Sequence, residues 1–245
     1  MIVGNKEKAE RIKENDATIN IMKRKHIVVR VIIFTMIIVV LNGLYLIYAW
    51  NRYQDEASSQ AIALANSIEA VMPQRHISKL SGSVEDLDKP EYEMIKHNLT
   101  QLVEATNPIH FAYLLAERAE NIVILMDSES PESLDYSPPG QVYEEANDIF
   151  REPFRTGEAI LTKPITDRWG TWISVLVPVN DTATGNVIAV FGIDYSVSEW
   201  YAQIWQHMIP DIVIIICILL LSFALLYGWI QYIRSFPIFR TIEKG

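Results

Sequence analysis

An α+β domain carried between two membrane-spanning helices is the fold class this sequence predicts, and three observations predict it. Two apolar runs, Val31 to Trp50 and Ile212 to Ile233, are each about 20 residues long, the length a helix needs to cross the hydrocarbon core of a bilayer. The stretch between them, residues 51–211, is acidic, with a local net charge of −15 against −9 for the whole chain. Inside that stretch helical periodicity gives way to short β-rich runs and returns at the end. The division expected is a basic tail over 1–30, a first span over 31–50, an outer domain over 51–208, a second span over 212–233 and a short tail over 234–245.

Past the first span, Ala57, Ala61, Leu64, Ile68 and Val71 recur at helical spacing until Pro73, so the membrane helix is expected to run on into the domain. This stripe packs on its own domain or forms the seam of a dimer. Pro90 opens a second helix with Tyr92, Ile95, Leu99 and Leu102 on one side, closing near Asn107 and Pro108. Residues 109–115 and 121–126 then read as a hairpin joined by Glu117 to Glu120. A Pro- and Ser-rich loop over 128–141 leads to a short helix expected from Val142 to Phe150. Strands are expected at 158–163, 171–179 and 186–194, the last two joined by the turn residues Asp181 to Gly185. Five strands result. The final helix, with Val197, Trp200, Tyr201, Ile204, Trp205 and Met208 on one face, passes into the second span through Pro210.

Orientation follows from the flanks, because Lys and Arg near a span are retained in the cytoplasm. Residues 1–30 hold eight basic side chains, with Lys23, Arg24, Lys25 and Arg30 against the first span, and Arg234, Arg240 and Lys244 follow the second. Both termini are therefore expected in the cytoplasm of a two-pass inner-membrane protein, with the middle domain periplasmic or extracellular. A cleaved signal peptide is disfavoured by the 30-residue polar lead and by Asn51-Arg52-Tyr53-Gln54, which offers no small-x-small site. The single cysteine, Cys217, lies in the second span, so no disulfide framework exists.

Helix, hairpin, Pro-rich loop, hairpin and then V-I-A-V-F-G-I-D over Val187 to Asp194 is an order that resembles Cache domains. These are PAS-like extracellular sensors of histidine kinases, diguanylate cyclases and chemoreceptors. More specific are D-Y-S-P-P-G-Q-V-Y-E-E-A at Asp135 to Ala146 and T-D-R-W-G-T-W-I-S at Thr166 to Ser174, which look like the matching stretches of single-Cache sensors. The resemblance covers about residues 50–208. It implies a five-stranded antiparallel sheet with a ligand held against it under the loop between the second and third strands, and a homodimer. The site residues it implies are Tyr113, Asp127, Tyr136, Tyr143, Trp169, Trp172 and Asp194. Aromatics offer apolar walls with polar tips, and the two aspartates suit an ammonium or a hydroxyl. For Asp194 the competing reading is a cap on the final helix, and for either tryptophan plain core. Pro138, Pro139 and Gly140 are read as shaping the loop, and Arg168 as exposed or bridged to Asp167 ahead of any carboxylate-binding role.

No P-loop, H-E-x-x-H, G-x-S-x-G or nucleotide-binding glycine fingerprint occurs, and the five histidines lack ligand spacing. Glu144, Glu145 and Asp148 read as a solvated face rather than an acid–base pair. The expectation is a binding module, not an enzyme, with no cofactor, no metal and no nucleic-acid partner. Its ligand is a small molecule, with amines, amino acids, polyols and purines all compatible and cationic or zwitterionic ones favoured by the charge. After the second run only 12 residues remain, too few for an output module. A truncated receptor and a sensor lent to a separate signalling protein both fit. The rival from another class is a structural protein whose outer domain docks a periplasmic partner.

Overall fold

The computed structural model describes residues 2–235. Pro237, Arg240 and Lys244 lie outside the described residues, as do the side chains of Lys23, Arg24, Lys25 and Arg234. The fold is α+β, with a long N-terminal helix, an antiparallel sheet and a long C-terminal helix. In order the elements are α1 (Ile2–Glu69), α2 (Gln74–Ile77), α3 (Pro90–Ala105), β1 (Ile109–Arg118), β2 (Asn121–Asp127), α4 (Glu152–Thr156), β3 (Ile160–Leu161), β4 (Ile165–Thr166), β5 (Thr171–Asn180), β6 (Val187–Ser196) and α5 (Val197–Ser235). Contacts divide the chain into residues 52–207 and a unit made of the remaining parts of α1 and α5.

That second unit is apolar on its outside. Ile32, Phe34, Met36, Leu41, Leu220 and Phe223 are all more than half exposed. Both helices are long and apolar enough to cross a membrane. Within this unit the Tyr45 hydroxyl donates to Asp211 at 2.9 Å.

In the unit formed by residues 52–207 the sheet order is β2-β1-β6-β5-β3, with β4 also paired to β5, all antiparallel. It has six strands, not five. The apolar run expected as one strand over 158–163 pairs only at Ile160–Leu161, and a separate pair forms at Ile165–Thr166 beyond Pro164. Proline offers no N–H to the ladder and fixes φ, so the run breaks there. The helix expected from Val142 also moves. Residues 140–143 lie along the free edge of β2, with Ile124 N donating to Gln141 O at 2.9 Å and Tyr143 N to Ile122 O at 2.9 Å. This backbone pairing takes up the edge strand's open groups, and helical turns start only at Asp148, capped by the Asn147 side chain.

β5 and β6 are buried along nearly their whole length, as strands covered on both faces must be. On one face α3 contributes Tyr92, Ile95 and Leu99, all buried. On the other, Tyr113, Leu115, Ile122, Ile124, Leu176 and Val190 pack with Tyr143 and Phe150 from the segment that follows β2. Of the stripe, Ala61 is buried, Ala57 and Ile68 are half-buried and Leu64 is exposed, as is Val71 just beyond α1; Ala65, next to the stripe, is buried as well. The small residues and Ile68 therefore serve intradomain packing, and Leu64 and Val71 stay outside.

Candidate functional site

β1 alternates so that Phe111, Tyr113 and Leu115 share one sheet face, the period-two rule of a pleated strand. Asp127 sits opposite Tyr113 on β2, although it is three residues from Ile124 and strict alternation would put the two on opposite faces. A register shift between Leu114 and Leu115 absorbs one residue, and the resulting bulge returns Asp127 to the face of Ile124. On β6, Gly192 and Asp194 follow Val190 on the same face, paired with Tyr113 and Phe111 of β1. Phe111, Tyr113, Leu115, Ile124, Asp127 and Asp194 floor a cavity of about 40 Å3, closed by Glu129, Asp135, Ser137 and Tyr143 from the 128–143 segment and by Asp167 and Trp169 from the β4–β5 turn.

Of the seven residues named from sequence, Tyr113, Asp127, Tyr143, Trp169 and Asp194 line this cavity. Trp172 and Tyr136 do not. Trp172 is buried behind the wall, stacked on His110 at 4.9 Å between ring centroids and edge-on to Phe111 at 5.0 Å. Tyr136 lies on the α3 side, where Lys96 Nζ sits 4.8 Å from its ring centroid. Sequence reasoning missed Phe111, Leu115, Ile124, Glu129, Asp135, Ser137 and Asp167. The alternation of β1 was a signal for Phe111 and Leu115, and Asp167 lies within the T-D-R-W-G stretch; for the loop residues no local signal exists.

Asp194 is 6% exposed, and its partners are the Tyr113 hydroxyl, donating at 2.9 Å, and the Ser174 hydroxyl from the paired position on β5. It therefore belongs to the cavity floor rather than to the start of α5. Burial pushes its carboxyl up to about 7, against the pull of the hydrogen bonds from Ser174 and Tyr113, and the nearby Asp167 adds to the rise. Burial and the neighbouring Asp194 in turn hold the Tyr113 phenol well above its ordinary range.

Asp167 is held in place by four donors. Its Oδ1 accepts from Trp169 N at 2.9 Å, Gly170 N at 3.0 Å and Trp172 Nε1 at 3.1 Å, while Oδ2 accepts from the Tyr143 hydroxyl at 3.0 Å. Trp172 thus supports the site without touching the cavity. Arg168 pairs not with Asp167 but with Glu145, through two hydrogen bonds of 2.7 Å, and its guanidinium lies 5.0 Å from the centroid of the Trp169 ring. The arrangement clamps the turn to the segment after β2.

Asp127 anchors the loop above the cavity. Its Oδ2 accepts from Ser137 N at 2.6 Å and its Oδ1 from Glu129 N at 3.2 Å and from Lys96 Nζ at 2.8 Å; Lys96 also donates to Glu129 O. Burial raises the Asp127 carboxyl even against these donors. Lys96→Met should leave the carboxylate buried with backbone donors alone, a loss of about 2 kcal/mol at pH 8. Because the protonated carboxyl needs no counter-charge, the loss should shrink as pH falls toward 5. Thermal unfolding of both chains across that range checks it; a pH-independent difference would assign the effect to packing.

A second hollow of about 200 Å3, lined by Tyr53, Gln60, Leu64, Tyr195, Trp200 and His207 among others, is larger but gathers no buried carboxylate, its one buried titratable side chain being the Tyr195 phenol. Among the described residues no three ligating side chains converge as a metal ion would require.

No protein-family model matches the chain, and no curated protein matches it in sequence. Among solved structures it is similar to the ligand-binding domain of the Campylobacter jejuni chemoreceptor Tlp3 in complex with 4-methylisoleucine, with 15% identity over 62% of this chain and 56% of that one and a TM-score of 0.42. The same receptor's domain in complex with L-valine has 15% identity, covers 66% of this chain and 65% of that chain, and gives a TM-score of 0.38. The extracellular domain soHK1S-Z6, assigned to a histidine kinase, has 16% identity over 64% and 59%, with a TM-score of 0.44. The chain spans 56% to 65% of the length of these structures.

Proposed function

We propose that the protein is a membrane-anchored sensor whose outer domain, residues 52–207, binds a small molecule in the cavity between the sheet and the 128–143 segment. The observation that supports this most directly is convergence. Aromatic walls from β1, the loop and the β4–β5 turn meet two buried aspartates, of which Asp127 is paired with Lys96 while Asp194 is met by hydroxyl groups alone. A protein that needed only stability would fill this position with apolar side chains.

In this reading α1 and α5 cross the membrane, both termini are cytoplasmic and the acidic domain faces outside. Loop and turn settle differently around an occupied cavity, and a shift of about 1 to 2 Å carried by α1 and α5 is the signal. In a homodimer the exposed Leu64 and Val71 would supply the apolar contact. In this reading the chain is a binding module and does no chemistry of its own.

The test is thermal unfolding of the full chain in detergent, screened against amines, amino acids, carboxylates and purines, with Asp194→Asn alongside. A ligand at a hundred times its dissociation constant stabilises by about 2.7 kcal/mol, several degrees in midpoint. At least one class should give this rise in the native chain and lose it in the variant. A well-folded protein indifferent to all four classes would sink the sensor reading and favour partner docking.

A further inference from the structure

Charge around the cavity is one-sided. Five carboxylates line it, Asp127, Glu129, Asp135, Asp167 and Asp194, and no lining residue is basic. They are graded in depth, Asp135 exposed at the rim, Glu129 and Asp167 half-buried, Asp127 and Asp194 buried. The two nearest cations are already engaged outside the cavity, Lys96 with Asp127 and Glu129 O, and Arg168 with Glu145 in a two-point pair. Between the carboxylates stand the rings of Phe111, Tyr113, Tyr143 and Trp169.

We propose that this cavity takes a small organic ammonium ion carrying no free carboxylate, and rejects the amino acid of the same skeleton. The proposal rests on the reading of the cavity as a ligand site. Aromatic faces attract a cation through their quadrupole, and the attraction grows as water is excluded. Asp194 has lone pairs beyond those that Tyr113 and Ser174 occupy, since an ionised carboxylate offers about four acceptor sites, whereas the four donors on Asp167 leave it to act through its charge. An ammonium group gains these interactions. A ligand carboxylate gains none of them, meets negative charge on several sides, and is desolvated without a counter-ion. The carboxylates surround the space rather than converging on one point, which suits an organic cation with a hydrocarbon body over a bare metal ion. A volume of about 40 Å3, room for roughly three waters, takes the ammonium group and the carbons next to it and leaves the rest of the skeleton at the rim.

Four probes on one skeleton separate the classes: 3-methylbutylamine, L-leucinamide, L-leucine and 4-methylpentanoate. Each is titrated calorimetrically into the full chain in detergent and into Asp194→Asn. The amine and the amide should bind the native chain, L-leucine at least about 30-fold more weakly, and 4-methylpentanoate not measurably. Asp194→Asn should lose the amine. If L-leucine or 4-methylpentanoate binds as tightly as the amine, the charge-class proposal falls while the ligand site stands. Loss of that binding in Lys96→Met would show Lys96 swinging in to meet the carboxylate. Silence from all four probes overturns the proposal, and the wider four-class screen then decides whether the ligand site falls with it.

Discussion

Gly192→Ala is expected to lower the unfolding midpoint by roughly 10 °C and to abolish ligand-induced stabilisation, a large effect for one methyl group. The reason is a cross-strand contact. Gly192 lies opposite Tyr113, and a Cβ at position 192 would stand 2.1 Å from Tyr113 Cε2 and 2.4 Å from Cζ. The ring lies flat over the glycine and is held from beyond by the hydrogen bond from its hydroxyl to Asp194. Two relaxations are open to the variant. The strands can part, which strains the centre of the sheet at a cost of about 3 kcal/mol, or the ring can swing into the cavity, which spares the sheet and fills the space. Either way the cavity is lost. Tyr113→Leu separates the two effects, since it removes both the clash and the hydroxyl. The double variant should be more stable than Gly192→Ala alone, with a coupling of at least about 1 kcal/mol. A midpoint unchanged within a degree or two would show that the sheet yields easily and that the Tyr113–Gly192 contact constrains nothing.

What could be read from the residues, and what could not, divides along a physical line. Periodicity located α3 because Tyr92, Ile95 and Leu99 recur at helical spacing, and their burial in the structure follows from that. It located β5 and β6 because their runs are apolar along both faces. Pairing was less legible. The segment after Gly140 has a composition compatible with a helix, but the open edge of β2 claimed its backbone, and local propensity yields to such a partner. Asp127 reaches the cavity face only through a bulge, which no alternation rule anticipates. Lys96 lies 31 positions before Asp127, and nothing in either neighbourhood announces their ion pair. Trp172 looked like a wall residue and proved to be a support, because its indole N–H reaches Asp167 from behind.

Asp194→Asn should make the protein more stable at pH 8 while removing its response to amines, and the sign of the stability change carries the argument. Folding lifts this carboxyl from an ordinary 3.8 to about 7, so between those values the folded chain holds a proton that the unfolded chain has lost. Stability of the native protein therefore falls as pH rises from about 4 to about 7 and is level beyond. The burial that causes the shift is opposed by Ser174 on β5 and Tyr113 on β1, and assisted by Asp167 in the β4–β5 turn, with Tyr143 bonded to Asp167 from the segment after β2. A shift of this size corresponds to about 4 kcal/mol, or roughly 10 °C in midpoint. Asparagine has no proton to lose, keeps an oxygen for the Tyr113 hydroxyl, and can donate to Ser174 through its amide. The contribution of this position to the pH slope should vanish in the variant. Its midpoint should match the native one at or below about pH 4, pull ahead as pH rises to about 7 and keep the full lead at pH 8. A variant less stable at pH 8 would mean that the ionised carboxylate is already well compensated in the fold, and the case for a cation as its missing partner would fall with it. A gain in stability together with loss of amine binding is the pattern of a site that holds a buried charge in readiness for an opposite one.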